Sequence, residues 1–180
     1  MASQFHLADL FETIAATVPD RPAIISDSLT LTYAELDARS NALASGLVGM
    51  GVKRGDTVGL YMMNRVEHLE TFIAVCKAGA VPFNVNFRYR ADELRYLFAN
   101  AKAAAIVHAA EFSDMVRSLR PDLPDLRLSV AVDDGSGADT AGSVRYADLL
   151  ATPFNGPWER SEEDILLTYT GGTTGMPKGV

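Results

Sequence analysis

The chain has 180 residues, of which 48% are hydrophobic and 22% are charged, as in an ordinary globular domain. Its formal net charge of −7 argues against a nucleic-acid-binding protein, because neutralising phosphates requires clustered Lys and Arg. The single cysteine, Cys76, excludes a disulfide within the chain, and its apolar neighbours predict a small core residue. The sequence shows no signal peptide and no apolar stretch of about 18 residues, so we expect a cytoplasmic protein without a transmembrane segment.

The N-terminal part of the sequence predicts a helix that is followed by a short hairpin. Pro19 and Pro22 end the helix. Segments 23–27 and 29–32 then read as two strands joined around Asp27 and Ser28. Apolar residues that recur at helical spacing predict one apolar helix face, formed by Leu7, Leu10, Phe11, Ile14, Ala15 and Val18.

From residue 32 onward, the sequence alternates between helical and strand patterns. Thr32 and Glu35 form a capping box for a helix that stops near Gly51, and Asn64 with Glu67 is a second capping signature. Further helices are predicted at about 91–101 and 112–119, and strands at 57–62, 80–85, 104–108, 126–132 and 165–169. This alternation predicts an α/β fold with a largely parallel sheet, flanked by helices and preceded by the short hairpin.

Several side chains that could carry chemistry have structural interpretations instead. His6, His68 and His108 do not pair with a Ser or Cys motif, so surface or capping roles are expected for them. Arg88 follows two asparagines near the end of a predicted strand and leaves two readings open, an ion pair or a place near a ligand. The sequence therefore predicts no catalytic residue and no metal ligand in these positions.

The informative segment is residues 168–180, Thr-Tyr-Thr-Gly-Gly-Thr-Thr-Gly-Met-Pro-Lys-Gly-Val. Glycines let the backbone approach a ligand closely, and successive amides in such a loop can surround an anion. The threonines add hydroxyl donors, and the lysine adds a mobile positive charge that suits phosphate. The segment therefore predicts a polyphosphate-binding loop, with Thr170, Gly171, Gly172, Thr173, Thr174, Gly175, Met176, Pro177 and Lys178 as its residues.

Two common phosphate-binding loops do not match this segment. A Walker A loop requires Gly-x-x-x-x-Gly-Lys-Ser/Thr, whereas Lys178 lies between Pro177 and Gly179. A dinucleotide fingerprint requires Gly-x-Gly-x-x-Gly at the start of a helix, which this segment lacks. An ordinary P-loop NTPase is therefore disfavoured.

The segment resembles the phosphate-binding signature of adenylate-forming enzymes, whose usual form is Thr-Ser-Gly-Thr-Thr-Gly-x-Pro-Lys-Gly. The one departure is Gly171, which stands where serine is common and resembles a variant of bacterial fatty-acyl-CoA synthetases. Three upstream segments resemble the same family and occur in the family's order. They are 31–36 (Leu-Thr-Tyr-Ala-Glu-Leu), 51–58 (Gly-Val-Lys-Arg-Gly-Asp-Thr-Val) and 77–82 (Lys-Ala-Gly-Ala-Val-Pro), the last followed by Asn84, Asn86 and Arg88.

The resemblance implies a reaction in which a carboxylic acid displaces pyrophosphate from ATP and a thiol then displaces AMP. The implied substrates are a small-molecule acid, expected to be fatty or otherwise hydrophobic, together with ATP, Mg²⁺ and coenzyme A. Within this family, residues 1–180 correspond to the N-terminal portion of the large AMP-binding domain, which ends here in the phosphate-binding loop at 165–180.

Family members are much longer than this chain, and the later motifs that complete the active site are absent from it. We therefore expect the 180 residues alone to be inactive, with no catalytic residue of their own. Two alternatives stay open: an enzyme that loads a carrier protein instead of coenzyme A, and a truncated, non-catalytic nucleotide- or phosphate-binding module. Formation of a homo-oligomer also stays open.

Overall fold

In the computed structural model, residues 6–26, 29–170 and 178–179 are described, and helices and strands alternate along most of them. The helices are α1 (Leu7–Thr17), α2 (Tyr33–Gly49), α3 (Val66–Lys77), α4 (Ala91–Asn100), α5 (Ser113–Leu119) and α6 (Tyr146–Leu150). The strands are β1 (Pro22–Ile25), β2 (Thr30–Thr32), β3 (Thr57–Tyr61), β4 (Val81–Asn84), β5 (Ala105–Ala109), β6 (Leu128–Val132), β7 (Val144–Arg145), β8 (Tyr169–Thr170) and β9 (Lys178–Gly179).

A parallel sheet of five strands organises the chain, in the order β4-β3-β5-β6-β7. All four neighbouring pairs are parallel, so a helix or a longer loop must return the chain between consecutive strands. The sheet confirms the predicted α/β class, and the antiparallel pair β1–β2 confirms the predicted hairpin. Asp27 and Ser28, around which that hairpin was predicted to turn, lie outside the described residues.

Helices cover both faces of the sheet, which explains why its central strands are buried. Neighbouring residues of β5 contribute to opposite faces. Val107 packs in a core built with α2, α3 and α6, and Ile106 packs in a second core built with α4 and α5. Because helices cover both faces of the sheet, a ligand is expected to bind at the carboxyl ends of the parallel strands.

The predicted apolar face of α1 is only partly buried. The helix has the expected position, but Leu7, Leu10 and Ile14 are exposed, whereas Ala8 and Ala15 are the buried residues. The reason is that a polar side of α1 is turned toward the rest of the protein. The carboxylate of Glu12 lies 3.1 Å from the ammonium group of Lys77, which belongs to α3.

The two capping predictions have different outcomes. In the first, the Thr32 hydroxyl accepts a hydrogen bond from the Glu35 amide and the Glu35 carboxylate accepts one from the Thr32 amide, as predicted. The second prediction, Asn64 with Glu67, was wrong, because Arg65 occupies the N-cap position of α3. The Arg65 guanidinium binds the Glu67 carboxylate at 2.7 Å, so Glu67 has a side-chain partner.

Two buried charged side chains tie the helices together. Lys77, whose side chain is 1% exposed, donates hydrogen bonds of 2.7 Å to Asp37 and to Asn41 on α2. Glu70 is fully buried and binds the Arg39 guanidinium and the Tyr146 hydroxyl, which joins α3 to α2 and α6. Each charge therefore has the partners that make its burial tolerable.

The predicted strand 165–169 is much shorter in the structure. Ile165 and Leu166 are exposed, and the regular pairing begins only at Tyr169. Leu167 forms a single parallel bridge to Phe83 on β4, the strand at one end of the sheet. The amide of Leu167 donates to the carbonyl of Pro82, but Pro82 has no N–H to donate in return, which limits a continuous ladder here.

Among the described helices, none is both long and apolar enough to cross a membrane.

Candidate functional site

The two described ends of the predicted phosphate-binding loop lie side by side. Strands β8 and β9 form an antiparallel pair in which Thr170 is opposite Lys178 and Tyr169 is opposite Gly179. Thr170 and Lys178 are both exposed. The structure thus brings together the first and last residues predicted for phosphate binding, while the connecting residues Gly171, Gly172, Thr173, Thr174, Gly175, Met176 and Pro177 lie outside the described residues.

The β8–β9 pair lies next to the end strand of the parallel sheet. Because the Phe83–Leu167 bridge is parallel, the chain after Leu167 continues in the direction of β4, toward the carboxyl ends of the strands. Open α/β folds bind ligands at these ends. A hydroxyl at Thr170 and an ammonium group at Lys178 are donors that suit the oxygens of a phosphate chain.

Tyr169 is the residue that connects this pair of strands to the body of the protein. Its ring packs edge-on against the buried ring of Phe83, with the ring centroids 5.9 Å apart. Its hydroxyl donates a hydrogen bond of 2.7 Å to Oδ1 of Asn100, the last residue of α4. Burial, together with nearby Tyr96, raises the pKa of Tyr169, so the hydroxyl keeps its proton and acts as a donor.

No sequence motif marks Asn100, which stands 69 positions before Tyr169. No local pattern links a helix-terminal asparagine to a tyrosine in a later strand.

The side chains near the carboxyl end of β4 make local contacts. Nε2 of His68 lies 3.1 Å from Oδ1 of Asn84. The Arg88 guanidinium lies over the ring of its neighbour Phe87, 5.0 Å from the ring centroid. Within the described ranges Arg88 has no ion pair, so of its two readings the structure does not support the salt bridge.

One cavity at the sheet lies away from this site. It has a volume of about 520 Å³ and is lined by Arg39, Glu67, Asp133, Arg145 and Tyr146, among others. Its strand residues come from β6 and β7, at the opposite end of the sheet from β4. The Arg39, Glu67 and Arg145 side chains already bind carboxylate or guanidinium partners within the protein. This cavity is therefore not part of the predicted loop.

The histidines confirm one expected role and contradict another. Nδ1 of His6 accepts a hydrogen bond from the Ala8 amide at 3.1 Å, which is the predicted capping role. His108 is fully buried, so the expectation of a surface or capping role was wrong for this residue. Its Nδ1 lies 2.9 Å from the Ala109 carbonyl, which can only accept, so Nε2 is left to accept from the hydroxyls of Ser129 and Ser143.

Cys76 confirms its predicted place in the core. It is 2% exposed, and burial, together with the charge of Asp164, raises the pKa of its thiol to about 12. A thiol with so high a pKa holds its proton at neutral pH, and the thiolate is the reactive form.

Comparison with known proteins agrees with the fold. A sequence model described as AMP-binding enzyme matches residues 11–180. A medium/long-chain-fatty-acid--CoA/3-oxocholest-4-en-26-oate--CoA ligase of Mycolicibacterium smegmatis is 45% identical over 179 residues, which are 97% of this chain and 32% of that protein. A 3-oxocholest-4-en-26-oate--CoA ligase of Rhodococcus rhodochrous is 42% identical over 97% of this chain and 32% of its own length.

Solved structures show the same architecture. The apo structure of MbtA from Mycobacterium smegmatis has a TM-score of 0.89 and 32% identity, covering 98% of this chain and 33% of that one. The anthranilate CoA ligase AuaEII, solved with anthranoyl-AMP, has a TM-score of 0.90 and 25% identity, covering 100% of this chain and 35% of that one. The chain thus spans about a third of the length of these relatives. Because the family model matches nearly the whole chain, these 180 residues belong to the AMP-binding enzyme family.

Proposed function

We propose that residues 1–180 are the N-terminal portion of the large AMP-binding domain of an AMP-forming acid–thiol ligase, and that this portion ends in a phosphate-binding loop at 165–180. The observation that carries the proposal is the pairing of Thr170 with Lys178 at the two ends of a glycine- and threonine-rich segment. The parallel bridge between Leu167 and Phe83 supports it, because it directs this segment toward the ligand-binding edge of the sheet.

The reaction proposed for the whole protein has two steps. A carboxylate oxygen of the acid attacks the α-phosphorus of ATP, the bond to the bridging oxygen breaks, and pyrophosphate leaves. The thiol of coenzyme A then attacks the acyl carbon, loses its proton, and releases AMP as the thioester forms. The first step makes the carboxyl carbon reactive toward a thiol, because AMP is a far better leaving group than the oxide ion that a free carboxylate would have to lose.

In this scheme the present chain holds the leaving group of the first step. The Lys178 ammonium and the Thr170 hydroxyl, with the donors of 171–177, bind the β- and γ-phosphates and balance the negative charge that builds up on pyrophosphate. Mg²⁺ would accompany ATP and neutralise part of the same charge. In the described ranges no three His, Cys, Asp or Glu side chains cluster closely enough to hold a metal ion.

The acid proposed is a medium- or long-chain fatty acid or a steroid side-chain acid. Support comes from relatives at 45% and 42% identity that are named as ligases of such acids. The cytoplasm is the proposed compartment, because it supplies ATP and coenzyme A together.

The test uses the complete polypeptide from which these residues come. Acid-dependent exchange of labelled pyrophosphate into ATP is measured with a medium-chain acid, a long-chain acid, a steroid side-chain acid and benzoate. We expect exchange with at least one of the first three, followed by an acyl-CoA product when coenzyme A is added. Exchange without an acyl-CoA product would indicate that the acyl group is passed to an acceptor other than coenzyme A, such as a carrier protein. No exchange with any acid would overturn the proposal.

A further inference from the structure

We propose that Asn100 is a positioning residue for ATP: through its hydrogen bond to Tyr169 it fixes the point at which the phosphate-binding segment leaves the body of the protein. The inference rests on the function proposed above. The inference adds to that function Asn100, a residue of α4 that lies outside the glycine-rich segment and that no motif marks.

The contacts of Tyr169 leave this segment few other attachments. The amide of Leu167 reaches the Pro82 carbonyl at 3.4 Å, near the upper limit for a hydrogen bond. Thr170 and Lys178 are exposed and pair with each other. The side chain of Tyr169 is therefore the contact that joins β8 to both a strand and a helix, through Phe83 and Asn100.

The two contacts of Tyr169 have different roles. The packing on Phe83 supplies burial of apolar area but allows the ring to slide or tilt, since edge-to-face contacts tolerate a range of geometry. The hydrogen bond at 2.7 Å is directional and sets the position of the hydroxyl. Because Tyr169 immediately precedes Thr170, a change in its position is passed directly to the first residue proposed to touch phosphate.

The neighbouring strand, β9, also packs against the ring of Tyr169. A Cβ atom on Gly179 would lie 3.2 Å from Cζ of Tyr169 and 3.3 Å from Cδ1 of Leu167, so β9 packs closely against this ring. Gly179 follows Lys178, so the lysine and Thr170 both stand next to residues that contact or carry the anchored ring. Asn100 therefore influences both ends of the segment through one side chain.

The experiment uses the complete polypeptide with the variants Tyr169→Phe, Asn100→Leu and Asn100→Asp. The first two variants remove the hydrogen bond. Asn100→Asp keeps an acceptor for the Tyr169 hydroxyl and should therefore keep the hydrogen bond. In pyrophosphate exchange we expect the KM for ATP to rise roughly three- to tenfold in the first two variants, the effect of one lost hydrogen bond. The KM for the acid should stay unchanged. Tyr33→Phe, the same change at the first residue of α2, where the ring packs on Phe11, is the matched control and should leave both values unchanged.

A second measurement does not depend on catalysis. Trypsin cleaves after lysine, and Lys178 is exposed. We expect cleavage after Lys178 to be faster in Asn100→Leu and Tyr169→Phe than in the wild type, and Asn100→Asp to restore the wild-type rate. Equal cleavage rates and equal KM values for ATP in all variants would overturn the role of Asn100. If the wild type exchanges normally, that result leaves the proposed function intact. A wild type without exchange would overturn the proposed function, and the cleavage rates would then still decide whether the anchor exists.

Discussion

The hydroxyl of Tyr146 donates a hydrogen bond of 2.6 Å to the carboxylate of Glu70, although 76 positions separate the two residues in the sequence. Both residues are buried, and the Arg39 guanidinium binds the same carboxylate. Burial and the charge of Glu70 raise the pKa of Tyr146 well above its usual value, so its hydroxyl stays protonated and donates. One buried charge therefore joins three helices that lie far apart along the chain.

Tyr146→Phe should destabilise the chain because it leaves the buried Glu70 carboxylate with one partner fewer. We expect a loss of about 1.5–3 kcal/mol in the free energy of unfolding, the range for a hydrogen bond to a charged group. Urea unfolding followed by circular dichroism measures this loss. Tyr96→Phe makes the same chemical change at an exposed position and serves as the control. Equal unfolding midpoints for the two variants would show that the Glu70 contact adds nothing.

Lys77→Met should also destabilise the chain. The Lys77 ammonium binds Asp37, Asn41 and Glu12, and its removal leaves two carboxylates without their shared cation. Because Asp37 and Glu12 are 28% and 36% exposed and Glu12 keeps Arg160 as a partner, we expect a loss of about 1–3 kcal/mol in urea unfolding. Lys53→Met removes the same charge from an exposed position and should change stability by less than about 0.5 kcal/mol. A Lys77→Met chain as stable as the Lys53→Met chain would contradict this account.

These two clusters also show which features the sequence could predict. The capping box of Thr32 and Glu35 was predictable because its partners lie three residues apart, and its geometry is set by one helix turn. The strands β3 to β6 were predictable because each is an apolar run between turn signals. The partners of Glu70 and Lys77 were not predictable, since they come from other helices and depend on how those helices pack.

The partly exposed apolar face of α1 and the wrong capping prediction at Asn64 have the same origin. The apolar spacing of α1 indicated its helix correctly, but the face that turns inward was decided by Glu12 and Lys77 on two different elements. Asn64 and Glu67 matched a local capping pattern, yet Arg65 bound Glu67 instead. In the candidate site, Thr170 and Lys178 were predicted from their motif, whereas Asn100 is brought next to Tyr169 only by the fold.

Gly79→Ala should destabilise the chain for two reasons. Gly79 has φ +67°, a left-handed conformation that costs an L-residue about 1–2 kcal/mol. A Cβ atom there would also lie 2.7 Å from the Glu159 carbonyl oxygen, which is backbone and cannot simply rotate away. We expect a loss of at least about 2 kcal/mol in thermal or urea unfolding. Gly49→Ala, at the end of α2 with nothing within 4 Å of its Cβ position, should instead gain up to about 1 kcal/mol. A neutral Gly79→Ala would contradict the close approach.

Stability should fall in mildly acidic solution because of His108. Burial lowers the pKa of His108, although the hydrogen bond to Ala109 and the charge of Asp134 act in the opposite direction. The unfolded chain takes up this proton near pH 6.5, about the usual value for histidine, whereas the folded chain takes it up only at lower pH. The unfolded state therefore binds more protons in this window. The contribution of His108 to the free energy of unfolding is fully present above about pH 6.5. It is lost as the pH falls through the lowered pKa of His108.

His108→Gln removes the titratable imidazole while keeping a side chain that can form hydrogen bonds. We expect the free energy of unfolding of the wild type to fall between about pH 6.5 and 5, by at most about 1.4 kcal/mol per pH unit for one proton. The variant should show a flatter dependence over the same range, whatever its absolute stability. Parallel curves for the two chains would show that His108 does not resist protonation in the folded state.

The segment ending at Lys178 is proposed to bind the phosphates of ATP while pyrophosphate leaves. Acid-dependent pyrophosphate exchange by the complete polypeptide tests this proposal, with the wild type and Lys178→Ala compared in one assay over a series of acid concentrations up to saturation. We predict that Lys178→Ala lowers the exchange rate at least about tenfold, because it removes a positive charge from the leaving group, and leaves the KM for the acid unchanged. Exchange at the wild-type rate in Lys178→Ala would contradict the claim.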